Sequence, residues 1–224
     1  AAFNTVSMFN GSNWNNGASA GVSTTLSWNV QNVVNMNNMF LDNDDFNANI
    51  SEWKPTALRF MNKTFMGASA FNNGFPAGSV GTATISNTLD WNMPNLNNLI
   101  ESFSNASAFN SYINNWTVEN VTTMRYMFSG ATSFNQPLDN WNVGSVGEMQ
   151  YMFRQATSFN QPIGNWDVTS VARFDVMFNG ASSFDQDISC WCVPNNPRRE
   201  NFSDASPIDA KPNFIPRWNL PCSP

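Results

Sequence analysis

The chain contains no histidine, and charged side chains make up only 12% of its 224 residues. The first absence removes the side chain that most often serves as general base or metal ligand. The second leaves little electrostatic grip for phosphates, the more so because 10 Lys and Arg face 16 Asp and Glu, a net charge of −6. No apolar run is long enough to cross a bilayer, and no secretory leader opens the chain. These absences argue against catalysis, a cofactor, a metal centre, nucleic-acid binding and direct membrane insertion. Cysteine is scarce too: Cys190, Cys192 and Cys222 all lie near the C-terminus. Cys190 and Cys192 flank Trp191 too closely to pair with each other, so a disulfide from Cys222 to Cys190 or Cys192 is expected, leaving one thiol over.

What is present is periodic. Apolar residues form 42% of the chain, and tryptophan recurs every 25 residues at Trp28 and Trp53, then at Trp91, Trp116, Trp141, Trp166 and Trp191. The single longer step, from Trp53 to Trp91, equals one repeat plus 13 residues, which the Gly- and Ser-rich stretch at about 74–86 supplies as an insertion. Within a unit, Val121, Met124, Met127 and Phe128 follow the spacing of one face of a short helix, and Gly67, Gly130 and Gly180 follow where it should stop. Phe134 and Leu138 then suggest a short strand near 136–139, although Pro137 and Pro162 weaken a continuous ladder there. The spacing predicts an α/β solenoid of about seven 25-residue units with short parallel strands and short helices. One unit cannot bury enough apolar surface to offset its chain entropy, so the units must stack.

Three regions follow: an irregular partial repeat at 1–27, the repeat array at 28–192, and a Pro-rich cap at 193–224. The tryptophans other than Trp14 and Trp218 read as a core column. A second, polar column of Asn47, Asn72, Asn110, Asn135, Asn160 and Asp185 directly follows each unit's second phenylalanine, and reads as an amide ladder along the stack. The acidic run Asp42, Asp44 and Asp45 lacks the glycine and distal glutamate of a calcium loop and reads as a solvated turn. Sequons occur at Asn10, Asn49, Asn62, Asn105, Asn115, Asn120 and Asn201, of which Asn115 adjoins a core tryptophan and is a poor glycan acceptor. The positions expected to face outward on the strands, Asn49, Tyr112, Pro137, Pro162 and Asp187 with Ser51, Asn114, Asp139, Gly164 and Ser189, are small and polar with one aromatic and no arginine.

The run from Tyr126 through Phe134-Asn135-Gln136-Pro137-Leu138, with Asn165-Trp166-Asp167-Val168-Thr169-Ser170-Val171, resembles the 25-residue surface-protein repeat of mycoplasma lipoproteins and BspA-like bacterial proteins. The likeness covers about residues 28–192. It implies a leucine-rich-repeat-like fold, exposure at the cell surface, and adhesion or protein recognition, with no catalytic residues to carry over. The expectation is therefore an extracellular or cell-surface adhesion module without enzymatic activity or cofactor. Its partners would be other proteins or glycans, or copies of itself. The rival expectation is a structural subunit of an extracellular filament or surface assembly.

Overall fold

The structure, a computed structural model, describes residues 3–15, 24–77, 79, 87–193 and 196–219. It corrects the predicted fold class. Among the described residues there is no α-helix, and the single helical turn is a 3-10 segment at Pro207–Ala210. Two strands, β1 (Phe3–Asn4) and β2 (Val33–Asn35), pair in parallel. All other neighbours meet through single parallel bridges, so the chain is not an α/β solenoid of helices and strands. The strand expected near 136–139 is absent, and the longest file of bridges runs instead through Asn35, Phe60, Asn98, Thr123, Glu148, Arg173 and Arg198. Of the positions expected on a strand face, only Asn49 and Tyr112 form bridges, to Thr25 and Thr88.

Backbone geometry explains why the helix fails. In the segment from Met124, the N–H groups of Met127, Ser129 and Ala131 each donate to the carbonyl three residues back. The N–H groups between them, on Met124, Tyr126, Phe128 and Gly130, donate to Glu148, Gln150, Met152 and Arg154 of the next coil, at 2.7–3.1 Å. Half of the donors a helix would use internally thus go sideways. Tyr126 (φ 56°) and Gly130 (φ 71°) are left-handed, and a right-handed helix cannot continue through them. The same pair recurs in every coil, as at Lys63 and Gly67, Glu101 and Asn105, Tyr151 and Gln155, and Val176 and Gly180. The three-residue apolar spacing fits overlapping turns as well as a helix, which is why the sequence misleads.

Aromatic rings fill the interior in three files. Phe40, Phe65, Phe103, Phe128, Phe153 and Phe178 follow one another at 5.4–5.8 Å. Phe46, Phe71, Phe109, Phe134, Phe159 and Phe184 form the second file at 5.4–6.0 Å. Within a coil the two phenylalanines stack at 3.8–4.2 Å. Tryptophan makes the third file: each indole from Trp53 to Trp191 is buried, and its Nε1–H donates to a carbonyl of the coil before, as Trp141 does to Ile113 at 3.1 Å. Trp28 is partly buried. Offset ring stacks combine large buried area with the one polar atom of indole satisfied.

Both flanking segments join this pattern. Thr5, Ser7, Phe9 and Gly11 donate to Asn35, Asn37, Met39 and Leu41, and Phe9 lies flat on Phe40. Trp14 stacks on Phe9 at 4.1 Å, so it is packed rather than freely exposed. At the other end Arg198, Glu200, Phe202 and Asp204 accept from Phe174, Val176, Phe178 and Gly180. There the rings turn: Phe202 stands at 89° to Phe178 and Trp218 at 85° to Phe202, which ends the parallel stacking.

The second left-handed position alternates along the stack as Gly11, Asp42, Gly67, Asn105, Gly130, Gln155, Gly180 and Ala205. A Cβ on Gly130 would strike the Asn105 carboxamide, and one on Gly67 would strike Asp42, so a side chain in one coil occupies the space glycine leaves in the next. Gly130→Ala is therefore expected to destabilise the chain by about 1 kcal/mol or more. Adding Asn105→Gly should recover the part due to collision. A urea-unfolding cycle with no coupling between the two changes would refute this packing.

Candidate functional site

The amide column forms one continuous hydrogen-bonded line. The main-chain N–H of Asn72 donates to Asn47 Oδ1 (2.8 Å), Asn110 to Asn72, Asn135 to Asn110, Asn160 to Asn135, and Asp185 to Asn160, each of the last four at 2.9 Å. Gln136, Gln161 and Gln186 reinforce it, each Nε2 donating to both the main-chain oxygen and Oδ1 of the asparagine one coil back. The line starts at Asn15, whose Oδ1 accepts from Asn47. It ends where Lys211 pairs with Asp185 at 2.5 Å, which accounts for a carboxylate in the sixth place. At the shoulder of the insertion, Gly74 donates to Asn47 Oδ1 and Asn87 to Asn72 Oδ1, so the extra residues are tied to the ladder. Most of these groups are consumed by the fold and offer nothing to a ligand.

The remaining sequence candidates do not converge. Among the described residues no group of three or more carboxylates or thiols could hold a metal, and Asp44 is engaged by the Ser69 hydroxyl. Cys190 is exposed with a free thiol, Cys192 is disulfide-bonded, and Cys222 lies outside the described residues. Of the sequons, Asn10, Asn105, Asn115, Asn120 and Asn201 are exposed, whereas Asn49 and Asn62 are half-buried. Asn115 is solvent-facing despite its tryptophan neighbour and donates to Asp90. Trp218 is half-buried against Phe174 and Phe202.

The surface with the most chemistry lies where sequence reading did not place it. Along the bridge file, alternation turns Thr123 and Arg125 outward on either side of buried Met124. The same two places recur as Glu148 with Gln150, Arg173 with Asp175, and Arg198 with Glu200, of which Gln150 and Asp175 are buried, and the left-handed residue that follows is Tyr126, Tyr151, Val176 or Asn201. The strip therefore brings arginines, their carboxylate partners and two of the three tyrosines onto one face. At its C-terminal end Asp175, nearly buried, is flanked by Arg173 at 3.4 Å and Arg198 at 3.8 Å, and Arg198 reaches Glu200 at 3.7 Å. At its other end Lys63 pairs with Glu101 at 3.5 Å.

Between these paired ends stand Tyr126 and Tyr151, parallel at 4.2 Å and 4°. The Arg125 guanidinium lies over the Tyr126 ring at 5.8 Å. Arg154 follows Tyr151 by three residues, its N–H closing a turn onto the Tyr151 carbonyl. Two polar atoms beneath this centre, Arg125 Nε and Gln150 Oε1, are buried without a partner. Burial first, and then the neighbouring Tyr151 phenol, holds the Tyr126 hydroxyl above the ordinary tyrosine range. On another side of each coil, Asp167 and Asp187 are held below the usual carboxylate range by the hydroxyl and N–H of Thr169 and Ser189. Those contacts close corners of the chain.

Fold and site together define a repeat protein of stacked 25-residue coils with one polar-aromatic strip. The chain belongs to the family described as Mycoplasma protein of unknown function, DUF285, whose model matches residues 2–76 and 77–191. No curated protein and no solved structure is significantly similar.

Two outcomes follow from the site geometry. Asn135→Ala leaves the Asn160 N–H without its acceptor and should cost about 1–3 kcal/mol, whereas Asn135→Asp keeps an oxygen in place and should cost less. Equal losses in chemical denaturation would refute the ladder's role. For Tyr126, a folded value raised above the unfolded one, about 10, stabilises the fold fully below that pH. The contribution is lost as pH rises through the folded value. Stability measured across this alkaline window should fall less steeply in Tyr126→Phe, and an unchanged slope would contradict it.

Proposed function

We propose that this chain is a recognition module of the cell surface or extracellular matrix that binds other macromolecules and performs no catalysis. The observation that carries the reading is the strip centred on Tyr126 and Tyr151, where tyrosine and arginine stand together on a rigid face. These are the residue types that dominate binding energy at protein interfaces. The resemblance to BspA-like surface repeats supports the same reading, and the sequons exposed on several coils are compatible with life outside the cell. A rigid stack also suits recognition because binding costs little ordering entropy.

A second reading, a structural subunit of a surface assembly, is favoured by one feature. An apolar groove of about 670 Å³, lined by Val6, Met8, Trp28, Val30 and Val33, lies against the first coils, and Val6 and Met8 are exposed. The edge-on rings of Phe202 and Trp218 oppose continued stacking at the other end, which makes an open-ended polymer through both ends the weaker reading.

The test is capture of the labelled chain by a panel of purified extracellular proteins and glycans, compared with a Tyr126→Asn/Tyr151→Asn variant. Asparagine already occupies the equivalent left-handed position at Asn38 and Asn201, so this variant keeps the backbone. Capture that drops about tenfold or more in the variant is expected. Capture by nothing on the panel, or capture indifferent to the tyrosines, would sink the proposal.

A further inference from the structure

We propose that the centre of the strip binds an acidic protein segment, with Arg125 and Arg154 clamping its carboxylates and the Tyr126–Tyr151 pair as the platform between them. This rests on the recognition reading and adds the chemistry of the partner.

The strip's charges are mostly answered from within the molecule. Lys63 is paired with Glu101, and Arg173, Asp175, Arg198 and Glu200 form one network. Glu148, the acid closest along the bridge file, accepts from Thr123 Oγ1 at 3.4 Å. Among the described residues Arg125 and Arg154 make no salt bridge, which puts two unpaired guanidinium groups on the two consecutive coils that carry the tyrosine pair; Lys54, Arg59, Arg199 and Arg217 are also unpaired but belong to other coils. A chain of net charge −6 has acids to spare, yet none is placed against these two guanidinium groups.

Ring geometry narrows the ligand further. The two tyrosines stack from coil to coil, so each turns one face to the other. A sugar seeks an open ring face, and stacking takes one face of each tyrosine, with the Arg125 guanidinium over the Tyr126 ring as well. A ring edge is the positive side of the aromatic quadrupole and the hydroxyl is a donor. The Arg125 guanidinium lies over Tyr126, Arg154 follows Tyr151 by one turn, and Glu101, the carboxylate that acts on Tyr126, is already paired with Lys63, so the free charge at the centre is positive. Planar carboxylates match the guanidinium fork in two-point contact. The unpartnered Arg125 Nε and Gln150 Oε1 lie beneath this same point, while the paired ends of the strip have no such atoms apart from Asn62 Oδ1 near the Lys63 end.

The experiment measures binding of the full chain to an immobilised peptide of alternating glutamate and glycine. A lysine–glycine peptide, heparin and polyphosphate serve as comparison ligands. The expected result is preference for the glutamate peptide, weakening as salt rises. Arg125→Gln/Arg154→Gln should lose about tenfold or more in affinity, each charge-assisted contact being of that order. The single variant Arg154→Glu, at a half-exposed side chain with no bonded partner to lose, should shift preference toward the lysine peptide. Melting curves matching the parent chain exclude misfolding as the cause. Equal affinity in the double-glutamine variant, or tighter binding to heparin or polyphosphate than to the carboxylate peptide, overturns the proposal. If capture of extracellular proteins depends on Tyr126 and Tyr151 but not on the arginines, recognition stands and the acidic partner falls. If it depends on neither pair, both fall.

Discussion

The structure depends on one constraint: successive coils must meet in a fixed register so that rings and peptide groups align together. Parallel N–H to carbonyl bonds set the spacing between coils, and the aromatic files then sit at stacking distance with nothing left to adjust. Each interaction holds the other in place. A slip of one residue would move the phenylalanines off their neighbours and turn the amide column away from the N–H groups it serves. The insertion before Trp91 shows how firm this register is. Lys63, Phe65 and Gly67 still donate to Ile100, Ser102 and Ser104, so three of the bonds that join other neighbouring coils persist across the longer step.

Because few of these backbone bonds lie within regular helices or strands, the polar side chains carry an unusual share of the work. Asparagine and glutamine supply acceptors and donors where a helix or a wide sheet would satisfy its own peptides. This explains the composition: a chain poor in charge remains well ordered because amides hydrogen-bond in any direction without needing a counter-ion. It also explains the scarcity of free polar chemistry on most faces, since a carboxamide already bonded to the next coil has little to offer a ligand.

The repeat period, the tryptophan and phenylalanine files and the positions of the amide column could be read directly from the sequence, because each depends on identity recurring every 25 residues. Local conformation could not. Val121, Met124, Met127 and Phe128 have the spacing of a helix, and the glycines after them suit a helix stop. Nothing in Tyr126, Tyr151 or Val176 announces a left-handed residue, and for a β-branched valine that conformation is rare. It persists because coils on both sides fix the peptide orientation through bonds invisible to a local reading. The same error hid the strip. Once the bridges are moved from the Pro137 position to the Thr123 position, the outward residues change from small polar ones to arginines and tyrosines.

A scaffold of this kind separates tolerance from constraint by position. The two phenylalanine places keep the same ring in every coil from Phe40 to Phe184, whereas the methionine places admit substitutes such as Ser102 and Thr64, whose hydroxyls donate to main-chain oxygens. The outward places of the strip vary from asparagine to phenylalanine, threonine, glutamate and arginine down a single file, with the backbone unchanged. The fold therefore does not dictate what stands at Arg125, Tyr126, Tyr151 and Arg154, and their chemistry can follow the partner. A guanidinium needed for stability would be answered by a carboxylate, as Arg173 is by Asp175. Arg125 and Arg154, at two other positions of the repeat, are not, and that contrast with the paired end of the strip is what the proposed acidic partner would answer.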